Sequence, residues 1–261
     1  MIGLEKTKVS ACIVTYQNYE KCREAIRTML QHTQGVELSI YIVDNNSGDG
    51  ALEKLKSEFP QITAIQNPDN KGFGHGHNTV LPLIESEYHC VVNPDITFDC
   101  DTITALCEYL DANSDIGIVT PEIRFPSGEV QIIGKRNPTF MALFGRHLFK
   151  EKLQKVVEHY QMLDEDLTKP IDIQFASGCF FVIRTEIFKQ IGGFDERYFM
   201  YFEDMDITRS VIEKAGKRAV YYPLTHICHA WERASSHSAK YFAILVHSMF
   251  KYFGKWGWAW I

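Results

Sequence analysis

The chain has 261 residues, of which 45% are apolar and 23% charged, with a formal net charge of -6. That size and composition supply a full core in one large domain or two small ones and exclude a disordered chain. The acidic balance argues against nucleic acid as a partner, and no uncharged run is long enough to span a bilayer.

The seven cysteines include no Cys-x-x-Cys pair and sit mostly in apolar runs, as at Cys12, Cys90 and Cys179. They read as reduced core thiols, and the first eight residues lack the apolar stretch of a signal peptide, so a cytoplasmic protein is expected. Along the first half, short apolar runs alternate with amphipathic ones. Residues 9–15 predict a strand, 19–32 a helix, 38–44 a strand, 51–59 a helix, 63–66 a short strand and 79–85 a helix. A strand over 88–93, a helix over 101–113 and a strand over 116–120 follow. Alternation of this kind implies βαβ units and an open, mostly parallel α/β sheet with helices on both faces. The middle is less regular. Ser127-Gly128-Glu129 predicts a hairpin-like turn, and residues 145–169, highly charged and without a core face, predict a mobile surface insertion. Strands are expected at 171–176 and 179–183, a helix at 185–191, a break at Gly192-Gly193, and a helix at 204–215 closed by Gly216.

Three acid- or imidazole-bearing sites, Asn93-Pro94-Asp95, Glu203-Asp204-Met205-Asp206 and His229, fall at the ends of expected strands, where open α/β sheets collect ligands. Thr15, Asp44 and Asn46 end the first two strands and face one crevice, where an Asp can accept a base imide N–H or hold a ribose hydroxyl. Asp and Asn are equally at home in plain turns, so the alternative is turn chemistry. Residues 70–78 form a glycine-rich loop before a helix, which lets backbone approach an anion closely. It is neither a Walker sequence nor a dinucleotide fingerprint. Asn93-Pro94-Asp95 offers one carboxylate, enough to hold a hard cation if diphosphate oxygens and water complete its shell. Glu203-Asp204-Met205-Asp206 follows the aromatic run Tyr198 to Phe202, whose low dielectric would make a carboxylate a better base; a helix cap is the other reading. His229 could complete a metal shell or be structural, and its pairing with His226 lacks the cysteines or the second motif of a zinc site.

These pieces, with Gly192-Gly193-Phe194-Asp195-Glu196 and Ser177-Gly178-Cys179-Phe180, occur in an order that resembles family-2 glycosyltransferases of the GT-A fold, in particular the bacterial rhamnosyltransferase-like branch. The resemblance runs roughly from residue 8 to 238. It implies a Rossmann-like nucleotide half over about 1–95 and an acceptor half over about 96–238, and beyond it the residue pattern predicts a C-terminal amphipathic helix over 239–261. It implies that Thr15, Tyr16, Asn18, Asp44, Asn46, Asn70, Gly72, Asn93 and Asp95 bind the nucleotide, that Asp95 and His229 hold Mg²⁺ or Mn²⁺, and that Asp204 is the catalytic base with Glu203 beside it. Asp206, Ser177, Gly178 and Arg233 would support the acceptor. Many GT-A enzymes carry Asp-x-Asp; here Asn93 takes the first place, a form found in that branch. The implied activity is an inverting hexosyl transfer from dTDP-rhamnose, or alternatively a UDP-sugar, to a cell-surface polysaccharide or its lipid-linked precursor. A non-catalytic nucleotide-sugar binding protein and a nucleotidyltransferase are the competing classes.

The last stretch, 239–261, is rich in Phe, Tyr and Trp, with Lys240, His247, Lys251 and Lys255 at helical spacing on one side. Two readings stand open. One is a helix lying in a membrane interface, which would place the protein peripherally at the inner face of the cell membrane; the other is a closing helix packed on the core.

Overall fold

A computed structural model of the protein describes residues 5–143, 153–231 and 239–260. Among these, nine strands form one sheet in the order β3-β2-β1-β4-β8-β6-β9-β5, with β7 paired to β9. The first half is a βαβ array: β1 (Lys8–Thr15), α1 (Tyr19–His32), β2 (Glu37–Asp44), α2 (Ala51–Glu58), β3 (Thr63–Gln66), α3 (Phe73–Val80) and β4 (Tyr88–Val92). Its strands are all parallel, β1 lying between β2 and β4. The cause is visible in β1, where Val9 to Val14 are all buried and only Ser10 is polar; a strand covered on both faces needs a nearly continuous apolar run. Helix α1 buries Cys22, Ala25, Ile26 and Met29 at helical spacing.

The second half is mixed. It comprises β5 (Ile96–Thr97), α4 (Thr102–Asp111), β6 (Ile116–Arg124), α5 (Gln154–Tyr160), β7 (Ile171–Ile173), β8 (Phe180–Arg184), α6 (Thr185–Gln190), α7 (Glu203–Glu213), β9 (Arg218–His229) and α8 (Ala239–Trp256). Strand β8 runs antiparallel to both β4 and β6, while β6 and β9 run parallel. The sheet is therefore parallel through the expected nucleotide half and mixed beyond it. Two cores cover its faces. One gathers α1, α2 and α4; the other gathers α3, α6 and α7. A third, smaller cluster joins Tyr198 and Phe202 to Met249, Tyr252 and Phe253 of α8.

Several elements differ from the sequence expectation. The glycine-rich segment is itself helical: α3 begins at Phe73, not at residue 79, and ends at Val80, before a short 3₁₀ turn at Leu81–Leu83. Strand β6 continues past Pro121 to Arg124, with its register to β9 slipping beside that proline. Strand β7 stops at Ile173. The charged stretch is anchored where it is described: Met162 is buried in the second core, and the Tyr160 carbonyl accepts from the amides of Lys135 and Arg136. Residues 145–152 of that expected insertion lie outside the described residues. The hairpin-like turn is present, with the Phe125 amide donating to the Glu129 carbonyl and Gly128 at φ +87°.

Candidate active site

The site is organised around the loop Ser177-Gly178-Cys179, which enters β8 in the middle of the sheet. Three functional segments meet on it. The Asn93 amide donates to the Cys179 carbonyl at 2.8 Å. The Gly178 amide donates to Asp204 Oδ2 at 3.0 Å. The Cys179 side chain lies against the His229 ring and raises its basicity. A Cβ on Gly178 would lie 3.0 Å from the Asp204 Cβ, so glycine lets the loop approach the acid closely. The structure thus brings together Asn93, Asp95, Ser177, Gly178, Glu203, Asp204 and His229.

Asp95 leaves the end of β4, and His229 is the last residue of β9. Antiparallel pairing of β5 with β9 sets them face to face, His229 Nε2 lying 3.4 Å from Asp95 Oδ1 with both side chains largely buried. Burial opposes charge on His229, but Cys179 and Asp95 outweigh it and push its pKa up to about 10. Burial likewise opposes ionisation of Asp95, yet the imidazole holds its pKa below the usual range. On the far side of the ring, Nδ1 lies 3.1 Å from Gln131 Oε1, and Gln131 Nε2 donates to the His229 carbonyl at 2.7 Å. An amide oxygen can only accept, so Nδ1 carries a proton, and with the pKa at about 10 Nε2 carries a second one towards Asp95, which a bound cation would displace. Imidazoles that ligate metals are oriented by such a partner. A carboxylate and an oriented imidazole converging at 3.4 Å fit a divalent cation of the Mn²⁺ type. His226 is three residues earlier, hence on the opposite face of β9, where it pairs with Asp99 at 2.9 Å.

Asp204 and Glu203 open α7. The chain reaches them through Tyr201 and Phe202, both left-handed at φ +68° and +69°. Two such residues in succession, neither glycine, cost on the order of 1 kcal/mol or more each and aim the first turn of the helix. Asp204 accepts from the Gly178 amide and, through Oδ1, from the Met205 amide at 2.9 Å. Burial nevertheless raises its pKa. Glu203 is 7% exposed, and its Oε2 finds no hydrogen-bond partner among the described residues. Burial and the neighbouring Asp204 push its pKa well above the carboxylate range.

The other expected nucleotide residues cluster at the ends of β1 and β2. Thr15 and Asp44 are register partners. Asp44 is buried and saturated locally: it accepts from the Ser47 amide, the Ser47 hydroxyl and Gln66 Nε2. Turn chemistry therefore holds Asp44 in this structure. Tyr16 is exposed beside it, Asn18 bonds the Tyr16 carbonyl, and Asn46 is exposed at φ +63°. Asn70 Oδ1 accepts from the Gly72 amide. Gly72, at φ +104°, sits where a Cβ would fall 2.0 Å from the Phe199 carbonyl oxygen. The glycine-rich segment therefore docks onto the loop that leads to Asp204.

Asp206 is not at the site. It faces α8, 2% exposed, held by Lys255 at 2.8 Å, by the Trp256 indole N–H at 2.7 Å and by the Tyr198 hydroxyl at 3.3 Å. It is a docking point for the C-terminal helix rather than an acceptor contact. Arg233 lies outside the described residues. Sequence reasoning missed Gln131, which carries no motif, and Asn45, whose amide ties the end of β2 to the Gly72 carbonyl at 3.0 Å.

The family model for glycosyl transferase family 2 matches residues 10–192. The chain belongs to that family. It is 29% identical over 207 residues to an N-acetylglucosaminyl-diphospho-decaprenol L-rhamnosyltransferase of Mycobacterium tuberculosis, covering 74% of this chain and 66% of that protein, a little under two thirds of its length. It is 24% identical over 226 residues to rhamnosyltransferase WbbL of Escherichia coli, covering 82% and 81%. Among solved structures, the mannosyltransferase PcManGT from Pyrobaculum calidifontis in complex with GDP-Man and Mn²⁺ superposes with a TM-score of 0.64 at 17% identity, over 97% of this chain and 64% of that one. GalNAc-T7 with UDP, GalNAc and Mn²⁺ superposes at 0.66 with 13% identity, over 88% and 44%. Both establish a shared GT-A-like fold. Among the described residues no helix is long and apolar enough to cross a membrane.

Proposed function

We propose that this family-2 protein is an inverting sugar transferase that moves a hexose, rhamnose from dTDP-rhamnose in the first instance, to a hydroxyl of a cell-surface polysaccharide or its lipid-linked precursor. The observation that carries the reading is the meeting of a basic, half-buried Asp204 with the Asp95–His229 pair across one loop. The rhamnosyl donor is supported by the named activities of the similar mycobacterial and Escherichia coli proteins. The nucleotide half is taken as residues up to about 95, the acceptor half as 96–238.

Asp204 accepts the proton of the acceptor hydroxyl as its oxygen bonds to the anomeric carbon. The bond from that carbon to the diphosphate oxygen breaks on the opposite face, so the configuration inverts and a nucleoside diphosphate leaves. The raised pKa of Asp204 suits a base, since a carboxylate closer to neutrality takes the proton more readily. Asp95 and the Nε2 of His229 would hold Mn²⁺ or Mg²⁺, which when bound neutralises charge on the departing diphosphate. Thr15, Asp44 and the Asn70–Gly72 turn border the nucleoside.

Peripheral contact with the inner face of a membrane belongs to the same reading, in altered form. Lys255 is taken up by Asp195 and Asp206, and Lys251 donates to the Arg197 carbonyl, so the expected cationic stripe keeps only Lys240 and His247 exposed. The apolar side remains: Trp258 touches both Phe250 and Trp260, and Phe250, Trp258 and Trp260 are 54%, 44% and 58% exposed. Incubating the protein with dTDP-rhamnose, UDP-sugars or GDP-sugars, with Mn²⁺ and a lipid-linked glycan, tests the whole reading. The expected product is free nucleoside diphosphate in step with glycan extension, abolished by EDTA. Pyrophosphate release would reassign the protein as a nucleotidyltransferase, and binding without turnover would make it a nucleotide-sugar binding protein.

A further inference from the structure

Beside the Asp95–His229 pair lies a cleft lined by Thr120, Gln131, Lys135, Phe175, Ser177 and Tyr221. It is lined by Ser177 of the central loop and by Gln131, the partner of His229, and by none of the expected nucleotide residues. Lys135 is its one cation. The backbone of Lys135 is pinned from both sides: its amide donates to the Tyr160 carbonyl, and its carbonyl accepts from the amides of Gln174 and Phe175. Its side chain is 8% exposed and extends over the Tyr221 ring, Nζ lying 4.6 Å from the centroid. Among the described residues the ammonium makes no hydrogen bond or ion pair. The carboxylate whose field reaches it, Glu122, is engaged by Arg124 at 2.6 Å. The adjacent Arg136 shows the contrast: it is fully occupied by Asp164, Glu165 and His159.

A buried cation without an acceptor is costly, and proteins rarely keep one without a use. Burial already pulls the Lys135 pKa down to about 8, with Glu122 opposing. Three ammonium hydrogens and the hydroxyl of Ser177 line one narrow space, while both amide hydrogens of Gln131 are spent on the Arg124 and His229 carbonyls. That donor set suits a tetrahedral or planar oxyanion.

We propose that the Lys135 cleft is an acceptor subsite that takes an anionic group, a phosphate or a carboxylate, carried next to the sugar that receives the new residue. The assignment rests on the transferase reading above and adds the charge of the acceptor to it. The phosphate would come from a lipid diphosphate linkage, the carboxylate from an acidic sugar.

The test is calorimetry on the full chain with its nucleotide site filled by nucleoside diphosphate and Mn²⁺. The probes are a hexose phosphate, glucuronate and neutral methyl glucoside. Wild type should bind one anion about tenfold more tightly than the neutral sugar, the expected value of a hydrogen bond to a charged group. Lys135→Met should erase that preference while nucleotide affinity and melting temperature hold or rise. Preference for the hexose phosphate names a phosphorylated acceptor; preference for glucuronate names an acidic glycan. Equal binding of all three by wild type, or an anion preference that survives in Lys135→Met, overturns the proposal. A more stable Lys135→Met with no anion preference in wild type makes Lys135 a buried strut. Should Lys135→Met not fold, Lys135→Gln replaces it with the same readout. Failure to bind any nucleotide would instead strike the transferase reading, and the anion titration repeated without nucleotide would still judge the cleft.

Discussion

The two sides of the first turn of α7 treat the same chemical group in opposite ways. On one side Asp206 is tied to Lys255, Trp256 and Tyr198, every oxygen accounted for. On the other, Asp204 has only two backbone amides and Glu203 keeps an oxygen without a partner. Successive helical residues are about 100° apart, so Asp206 lies roughly 200° around the axis from Asp204 and cannot serve the same space. The satisfied acid holds the fold together; the poorly satisfied pair, delivered by two left-handed residues, is where the chain tolerates cost for function. An acidic motif is therefore not one unit. Its members divide by the face they occupy.

The sharpest way to break this division is Asp204→Asn. The amide keeps the shape and cannot take a proton. Turnover should fall by a factor on the order of 10² to 10⁴, with nucleotide affinity and melting temperature nearly unchanged. Steady-state rates beside calorimetric nucleotide affinity decide it. If turnover stays near wild type, the base is elsewhere and Glu203 becomes the candidate.

Asp206→Ala should do the reverse. It removes a buried carboxylate from Lys255 and leaves the Trp256 indole N–H without its acceptor, while Asp195 still holds Lys255 at 2.9 Å. Stability should drop by about 3 kcal/mol, the scale for breaking one partner out of a buried pair. The rate per folded molecule should stay within a few-fold of wild type. Denaturant unfolding and active-site titration separate the two. A catalytic defect larger than the stability defect would return Asp206 to the acceptor side. The same packing means that removing 239–261 takes away core residues Met249, Tyr252 and Phe253, so membrane binding is better probed by Trp258→Ser and Trp260→Ser.

How much of this was legible in the sequence depends on what carried the signal. Strand β1 and helix α1 could be read directly, because a nearly continuous apolar run and a helical apolar stripe are local patterns. Helix α3 could not be. Its glycines are poor helix formers, but Gly74 and Gly76 lie against Phe194 and Val14, where a Cβ would fall 2.8 Å and 2.5 Å away. Close packing, not propensity, makes that segment a helix. Strand β9 was hidden by Pro223 and by its irregular register with β6. Asp95, Asp204 and His229 were named through family resemblance, whereas Gln131 stands 98 residues from His229 and is visible only once the turn after β6 folds back. Asp206 shows the limit of a motif: spacing alone could not say which acids face the cleft.

The finest test of the division is Glu203→Gln. The folded-state pKa of Glu203 is raised, chiefly by burial and secondly by Asp204. The folded protein thus holds this proton more tightly than the unfolded chain, whose glutamates titrate near about 4.3. Stability therefore falls as pH rises from the unfolded value to the folded one, and above that range the wild-type protein carries the full penalty. Glutamine does not titrate. Glu203→Gln should melt higher than wild type at neutral and mildly alkaline pH, by about 1 kcal/mol of stability, and the gap should close towards pH 4. Asp204 raises Glu203 and not the reverse, so Glu203 keeps its proton while Asp204 titrates, and the acid limb of the rate profile, set by the burial of Asp204, should stay in place in this variant. Thermal melts and rates across the pH range check both effects in one variant. A gap that persists at acid pH would mean the gain comes from packing, and a rate profile moved to lower pH would mean that Glu203 is charged while Asp204 titrates.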